Sequence, residues 1–257
     1  MSNPLRDFLA AQGFFTRLPV PQWVGGSTES LPRVAYYWPL LGIVVGLIGA
    51  AVTELAAWVL PLSLAVLLGM AATLLATGAL HEDGLADSAD GFGGGWDKAR
   101  VLAIMKDSRI GSYGAIALGL VLLAKFNALL EIDAAFEPPS LAIALVAGHA
   151  ASRLAALWPM RLLDYAREEG DEAARSRSVA SRPNGLGLVF PLFCGLVPCL
   201  LLPAGDALAG VLAAVLTALA ASAYFRRRIG GYTGDCLGAT QQLCEVAFYL
   251  GLLCSSI

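Results

Sequence analysis

Residues 77–114, TGALHEDGLADSADGFGGGWDKARVLAIMKDSRIGSYG, join two apolar runs and hold most of the chain's closely spaced acidic residues. A helix that enters this stretch and continues through it places Asp83, Asp87 and Asp90 at i, i+4 and i+7, on one face at ~100° per residue. Like charges at that spacing repel, and more strongly near a medium of low dielectric, so three carboxylates on one face call for a cation. Oxygen donors without cysteine suit Mg2+, which keeps several waters and is shared between carboxylates and substrate phosphates. The chemistry is therefore expected here.

Outward from this stretch, the chain is 57% hydrophobic and only 14% charged, with a mean hydropathy of +0.68. An average soluble domain carries roughly 25% charged residues, so the composition is that of an integral membrane protein. A net charge of -3 and a pI near 5.4 give no basic excess, which argues against nucleic acid as a partner. The five cysteines form no CxxC pair and lie in or beside apolar spans, as buried small hydrophobes do.

The expected fold is all-α, a polytopic transmembrane helix bundle forming a single integral membrane domain over residues 1–257. Residues 1–33 alternate apolar and charged positions without an apolar run long enough for a signal peptide and read as an interfacial helix, broken by Pro19 and Pro21. Seven spans near the ~20 residues a bilayer requires follow within 34–257, at about 34–60, 62–82, 112–130, 141–160, 187–203, 206–224 and 238–255. Pro61 and Pro203 mark two hairpin turns. In this arrangement 15 of the 17 Lys and Arg fall on one side, in the N-terminal segment and the 83–111, 161–186 and 225–237 loops. The opposite loops carry Glu131, Asp133, Glu137 and Asp206. The positive-inside tendency makes the basic side cytoplasmic, with the N-terminus inside and active-site loops at 81–111, 161–186 and 225–238.

The other two cations, Lys125 and Arg153, sit inside predicted spans and each needs a partner. Lys125 calls for a structural pair. Arg153 faces either a substrate phosphate or a structural pair with Glu54 or Glu245, and His149 one turn earlier reads as a hydrogen-bonded bundle histidine. Gly91, Gly93, Gly94 and Gly95 are expected to end the acidic helix and let backbone approach a ligand. No GK[ST] follows, which excludes a Walker loop. KDSRIGSYG places Lys106, Asp107 and Arg109 before the next span: Arg109 can hold a phosphate bidentately, Lys106 acts as a point charge and Asp107 can join a metal shell. The 161–186 loop reads as a solvated amphipathic helix whose Arg175, Arg177 and Arg182 can alternatively cover an anionic substrate. Arg226–Arg228 read as a stop at the membrane face. In GYTGDCLGA, Gly231, Gly234 and Gly238 flank Asp235 at a helix start that favours phosphate, with Asp235 either a metal ligand or an N-cap.

HEDGLADSADG (81–91), KDSRIGSYG (106–114), GYTGDCLGA (231–239) and FFTRLPVP (14–21) together resemble the cobalamin synthase (adenosylcobinamide-GDP ribazoletransferase) family over nearly the whole chain. The resemblance implies a Mg2+-dependent enzyme of a prokaryotic inner membrane, with its site facing the cytoplasm. It would join adenosylcobinamide-GDP to α-ribazole or its 5'-phosphate and release GMP. Asp83, Asp87 and Asp90 would hold Mg2+, Asp107 and Asp235 would complete a second metal shell, and Lys106 and Arg109 would bind the diphosphate. His81 or Glu82 is the candidate base, and the residues do not rank them. DxxDG at Asp87, Asp90 and Gly91 also resembles CDP-alcohol phosphotransferases, but the Ala99-Arg100 pair follows too late for that pattern, so a lipid-headgroup transferase is the enzyme alternative. A transporter is disfavoured because the acids gather at span ends rather than at mid-depth.

One outcome checks the arrangement of spans. Single cysteines placed in the 83–111, 161–186 and 225–237 loops are expected to react with an impermeant maleimide only after sealed cells are permeabilised. Labelling of any of the three from outside would break the assignment.

Overall fold

Helix α4 (Leu62–Thr77) begins at Pro61, whose fixed φ suits a helix start, and stops short of the acidic stretch. Gly78 (φ 65°) and Ala79 (φ 55°) take left-handed conformations in succession. The amide of Ala79 closes on the Leu74 carbonyl at 2.9 Å. The chain then bends by 87° into α5 (Leu80–Gly94). A span continuous over 62–82 is thus corrected: glycine permits the reversal, and a left-handed alanine, which costs ~1–2 kcal/mol, is held by its surroundings. Arg17 supplies part of that hold, its amide donating to Ala76 O at 2.7 Å and its side chain lying across Gly78. Asp83, Asp87 and Asp90 still share one helix, because α5 carries all three.

The computed structural model describes residues 3–24, 31–137, 140–166 and 186–254. After α1 (Pro4–Phe15) and the short α2 (Leu31–Val34) come α3 (Trp38–Ala57), α4, α5, α6 (Lys98–Ile104), α7 (Ser112–Ala135), α8 (Ser140–Ala155) and α9 (Leu157–Leu162). The chain closes with α10 (Val189–Leu196), α11 (Ala204–Ile229) and α12 (Gly234–Cys254). Among the described residues there is no strand, only an isolated bridge between Tyr165 and Tyr232. Four helices are long and apolar enough to cross a membrane, at Ala35–Ala57, Ser112–Ala135, Ser140–Leu162 and Ala204–Ile229, and counting the bent α4–α5 pair makes five. Among the described residues, length and composition thus single out four or five of the seven expected spans. Segment 187–203 is an eight-residue α10 continued by a 3-10 turn at Val197–Leu201. Segment 238–255 belongs to α12, whose first half buries Thr240, Gln241, Gln242 and Glu245 instead of presenting apolar side chains.

Small residues let the long helices meet backbone to backbone, as transmembrane packing requires. A Cβ on Gly46 would lie 2.6 Å from Val146 Cα of α8, and one on Gly251 of α12 the same distance from Gly210 Cα of α11. The loop ends gather at one end of the bundle. Tyr232 N–H donates to Asp164 O at 3.0 Å, Ala166 N–H to Tyr232 O at 2.8 Å, and Arg228 Nη2 to Phe92 O at 3.0 Å and Gly95 O at 2.7 Å. The N-terminal segment and the 78–111, 163–166 and 230–233 segments therefore meet there, as the sorting of basic residues requires. Residues 167–185, with Arg175, Arg177 and Arg182, lie outside the described residues.

Deep in the bundle, Lys125 of α7 pairs with Glu245 of α12 at 2.5 Å. The same carboxylate accepts from Gln241 Nε2 at 2.8 Å and from Tyr249 OH at 3.1 Å, with His149 Nε2 3.5 Å away. Arg153 joins this network through His149, donating to its carbonyl at 2.9 Å. Glu54, the other partner considered for Arg153, is exposed. Removing Glu245 leaves a buried ammonium unpaired, so Glu245→Ala is expected to lower stability by about 3–5 kcal/mol, and Lys125→Met/Glu245→Met to recover most of it. Unfolding in detergent micelles measures both, and a Glu245→Ala protein as stable as wild type would deny the network its structural role.

Candidate active site

The three aspartates of α5 share a face but not an environment. Asp90 is buried, and its two oxygens accept from the amides of Gly111 (2.7 Å) and Gly114 (2.8 Å). It thereby caps α7, whose own N-cap residue Gly111 offers no side chain, and sets a negative charge at the positive end of a 24-residue helix. Asp87 is half-buried one turn before it, and Asp83, at the other end of the face, is exposed.

Asp83 borders a cavity of about 210 Å3 together with His81, Trp38, Tyr232 and Asp235. Asp235 arrives there because α12 crosses α5 at contact distance: a Cβ on Gly84 would lie 2.9 Å from Asp235 O, and one on Gly238 3.0 Å from His81 O. Two acidic residues far apart in sequence thus border one cavity. The N-cap of α12 is Thr233, whose Oγ1 accepts from the Cys236 amide at 3.2 Å, so Asp235 stands in the first turn and is not the cap. Of the three glycines around it, Gly238 packs on α5 and Gly231 on Asp164 O, while Gly234 alone opens on empty space.

His81 lines the cavity with its Nε2 3.3 Å from the Trp38 indole N–H, which donates to it. Glu82 turns the other way. It is 7% exposed, and its Oε1 accepts from Gln242 Nε2 at 2.8 Å, which ties it to the buried network. Arg153, at 2% exposure, borders neither this cavity nor the next.

A second, open depression of about 440 Å3 lies at the far end of α5, bordered by Asp90, Asp107, Arg109 and Tyr113. The Arg109 fork there faces Asp107, with Nη2 2.6 Å from Oδ2 and Nε 3.0 Å from Oδ1. Those hydrogen bonds hold the Asp107 carboxyl down at about 2, so it is ionised at any physiological pH. An exposed pair of this kind contributes little to stability. Lys106 is exposed nearby. The glycines after Asp90 serve packing more than ligand approach: Gly91 admits Met105, Gly93 the Tyr113 ring, and Gly95 Val101.

Among the described residues no three His, Cys, Asp or Glu side chains converge into a complete metal-binding group. Asp83 and Asp235, which border one cavity, with Asp87 next on the face, could offer the one or two carboxylates that Mg2+ takes from protein when phosphates and water complete its shell.

Three further contributors escaped the sequence reading. Phe14 and Phe15 of the FFTRLPVP segment line the first cavity, signalled only by paired aromatics before a proline break. Arg228, expected to be a membrane stop, caps the α5 carbonyls.

The chain matches the family described as cobalamin-5-phosphate synthase over residues 7–253. It is 45% identical over 249 residues to an adenosylcobinamide-GDP ribazoletransferase of Shewanella frigidimarina, covering 97% of this chain and 94% of the relative. A protein of the same name from Leptothrix cholodnii is 47% identical over 253 residues, covering 96% and 95%. No solved structure matches.

The different settings of Asp83 and Asp90 predict different consequences. Asp90→Ala is expected to cost about 1–2 kcal/mol of stability through the lost cap, and Asp83→Ala to stay within about 0.5 kcal/mol of wild type. Thermal unfolding in micelles reads both, and equal losses would erase the distinction between them.

Proposed function

The chain belongs to the cobalamin-5-phosphate synthase family, and from that premise we propose that it transfers the corrinoid phosphoryl group of adenosylcobinamide-GDP to α-ribazole or its 5'-phosphate. The observation that carries the reading is the meeting of Asp83 and Asp235 at one cavity. The acidic motif and GYTGD, two of the segments that carry the resemblance, both end there. The apolar helices make it a membrane protein. The basic residues of the same bundle end favour a site on the cytoplasmic face of a prokaryotic inner membrane.

In the reaction, the acceptor hydroxyl oxygen bonds to the corrinoid-side phosphorus as the bond from that phosphorus to the bridging oxygen breaks. The electron pair leaves on GMP. Asp83 and Asp235, with Asp87 beside them, would hold Mg2+, which when bound neutralises charge gathering on the leaving nucleotide. Positioning is the protein's main contribution, as in other phosphoryl transfers. The hydroxyl proton has the rim carboxylates as acceptors. Of the two residues carried as a base, only His81 reaches the cavity, and its Nε2 is engaged by Trp38, so its ring is oriented rather than free. Arg109 borders the depression at the Asp90 end of α5, about 10 Å along the helix from Asp83 at 1.5 Å per residue, where it and Lys106 could grip a diphosphate or its nucleotide.

Purified protein given adenosylcobinamide-GDP, α-ribazole and Mg2+ should release GMP. Chelation should abolish the release, and Asp83→Asn should lower it by roughly 100-fold or more at saturating Mg2+. Arg109→Lys keeps the charge but loses the fork, and should slow the reaction by roughly 10- to 100-fold. CMP release from a CDP-alcohol, with no GMP from the corrinoid nucleotide, would replace this reading by lipid-headgroup transfer.

A further inference from the structure

Phosphoryl transfer accounts for the rim of the first cavity and not for its walls. Trp38, 2% exposed, stacks on Phe15 with centroids 4.9 Å apart and planes 6° apart, and on His81 at 5.8 Å and 15°. Tyr232 and Tyr165, edge to face at 5.6 Å, form another part of the lining, and Phe14 stands half-exposed at the mouth. A stack of near-parallel rings makes a flat apolar wall that favours another flat ring, offset or edge-on. We propose that this slot seats the heteroaromatic base of the acceptor nucleoside, with its ribose turned to the Asp83–Asp235 rim. The inference rests on the transfer reaction proposed above.

Three considerations select that occupant from the groups the reaction brings together. The cavity's volume of about 210 Å3 is below the ~300–1,000 Å3 that encloses a whole drug-sized ligand, so it has room for one ring system and none for a corrinoid macrocycle. Guanine would bring several donors and acceptors to a lining of mostly apolar ring and aliphatic surface, where the His81 nitrogen facing Trp38 already accepts its indole N–H. Polar edges left unpaired in such a site are rejected strongly. A benzimidazole has apolar edges and a single free ring nitrogen, and asks for little hydrogen bonding. Seating the apolar base inward leaves the sugar hydroxyls at the carboxylate rim, where the attacking oxygen is required.

Leu80 lines the slot and is 43% exposed, so Leu80→Trp can fill it without unpacking the core. Equilibrium dialysis of labelled α-ribazole against the full-length protein in micelles, together with KM for each substrate, tests the assignment. Leu80→Trp is expected to weaken α-ribazole binding and raise its KM by about tenfold or more, and Phe14→Ala by about threefold, with the KM for adenosylcobinamide-GDP unchanged. Unchanged α-ribazole affinity in Leu80→Trp, or a change confined to the corrinoid nucleotide, would overturn the slot and leave the transfer reaction standing. Slot-dependent α-ribazole binding by a wild-type protein that releases no GMP would support the slot and sink the reaction.

Discussion

A carboxylate with no exposure at all, Glu245, sits inside a bundle of apolar helices, and that charge dictates how α12 is used. In a medium of low dielectric it persists only if neighbours satisfy it, and they come from α7, α8 and its own helix. The hydrogen bonds do not stop there. Gln241 bonds Glu245, Gln242 Nε2 reaches both Gln241 Oε1 and Glu82 Oε1 at 2.8 Å, and Glu82 belongs to α5. The acidic helix is thereby held on α12 by a polar chain along one side and by the Gly84–Gly238 crossing. Both fix where Asp83 stands relative to Asp235.

The end of the bundle that carries the site has an apolar core of its own. Phe15, Trp38, Met105, Met160, Phe225 and Tyr232 belong to one buried cluster drawn from α1 to α12. It supports the cavity walls from beneath, so the aromatic slot is set by core packing rather than by loop conformation. The rim differs in kind: Asp83 and Gly234 are exposed and free to meet large water-soluble substrates. Rigid walls below and accessible carboxylates above are what positioning without covalent participation requires.

The helical character, the hairpin prolines, the shared aspartate face and the need of Lys125 for a buried partner were all legible in the sequence, because each follows from periodicity, a turn residue or the cost of a lone charge; that the partner is Glu245, which the sequence offered to Arg153, was not. The break at Gly78 was not, since TGAL continues an apolar run and only the left-handed pair reveals the turn. Asp90 could not be told from Asp83 by spacing: what separates them is the start of α7, which lies beyond the helix that carries both. The glycines after Asp90 suit ligand approach and helix packing equally in a string of letters, and Met105, Tyr113 and Val101 decide for packing. The span count rested on hydropathy, which averages over an α12 whose Thr240, Gln241, Gln242 and Glu245 are polar and buried.

The 87° turn at Gly78–Ala79 has an electrical consequence. An α4 aligned with the bilayer normal would lay α5 along the surface, and charges strung along α5 would then share one depth. A transmembrane potential does ~2.3 kcal/mol of work per elementary charge per 100 mV only on displacement along the membrane normal. Under that alignment, phosphate oxygens passing from the Arg109 end of α5 to the Asp83 end would move sideways in the field and exchange almost no work with it. An enzyme so oriented in an energised membrane would handle polyanions at its face without its equilibrium being tied to the voltage across it.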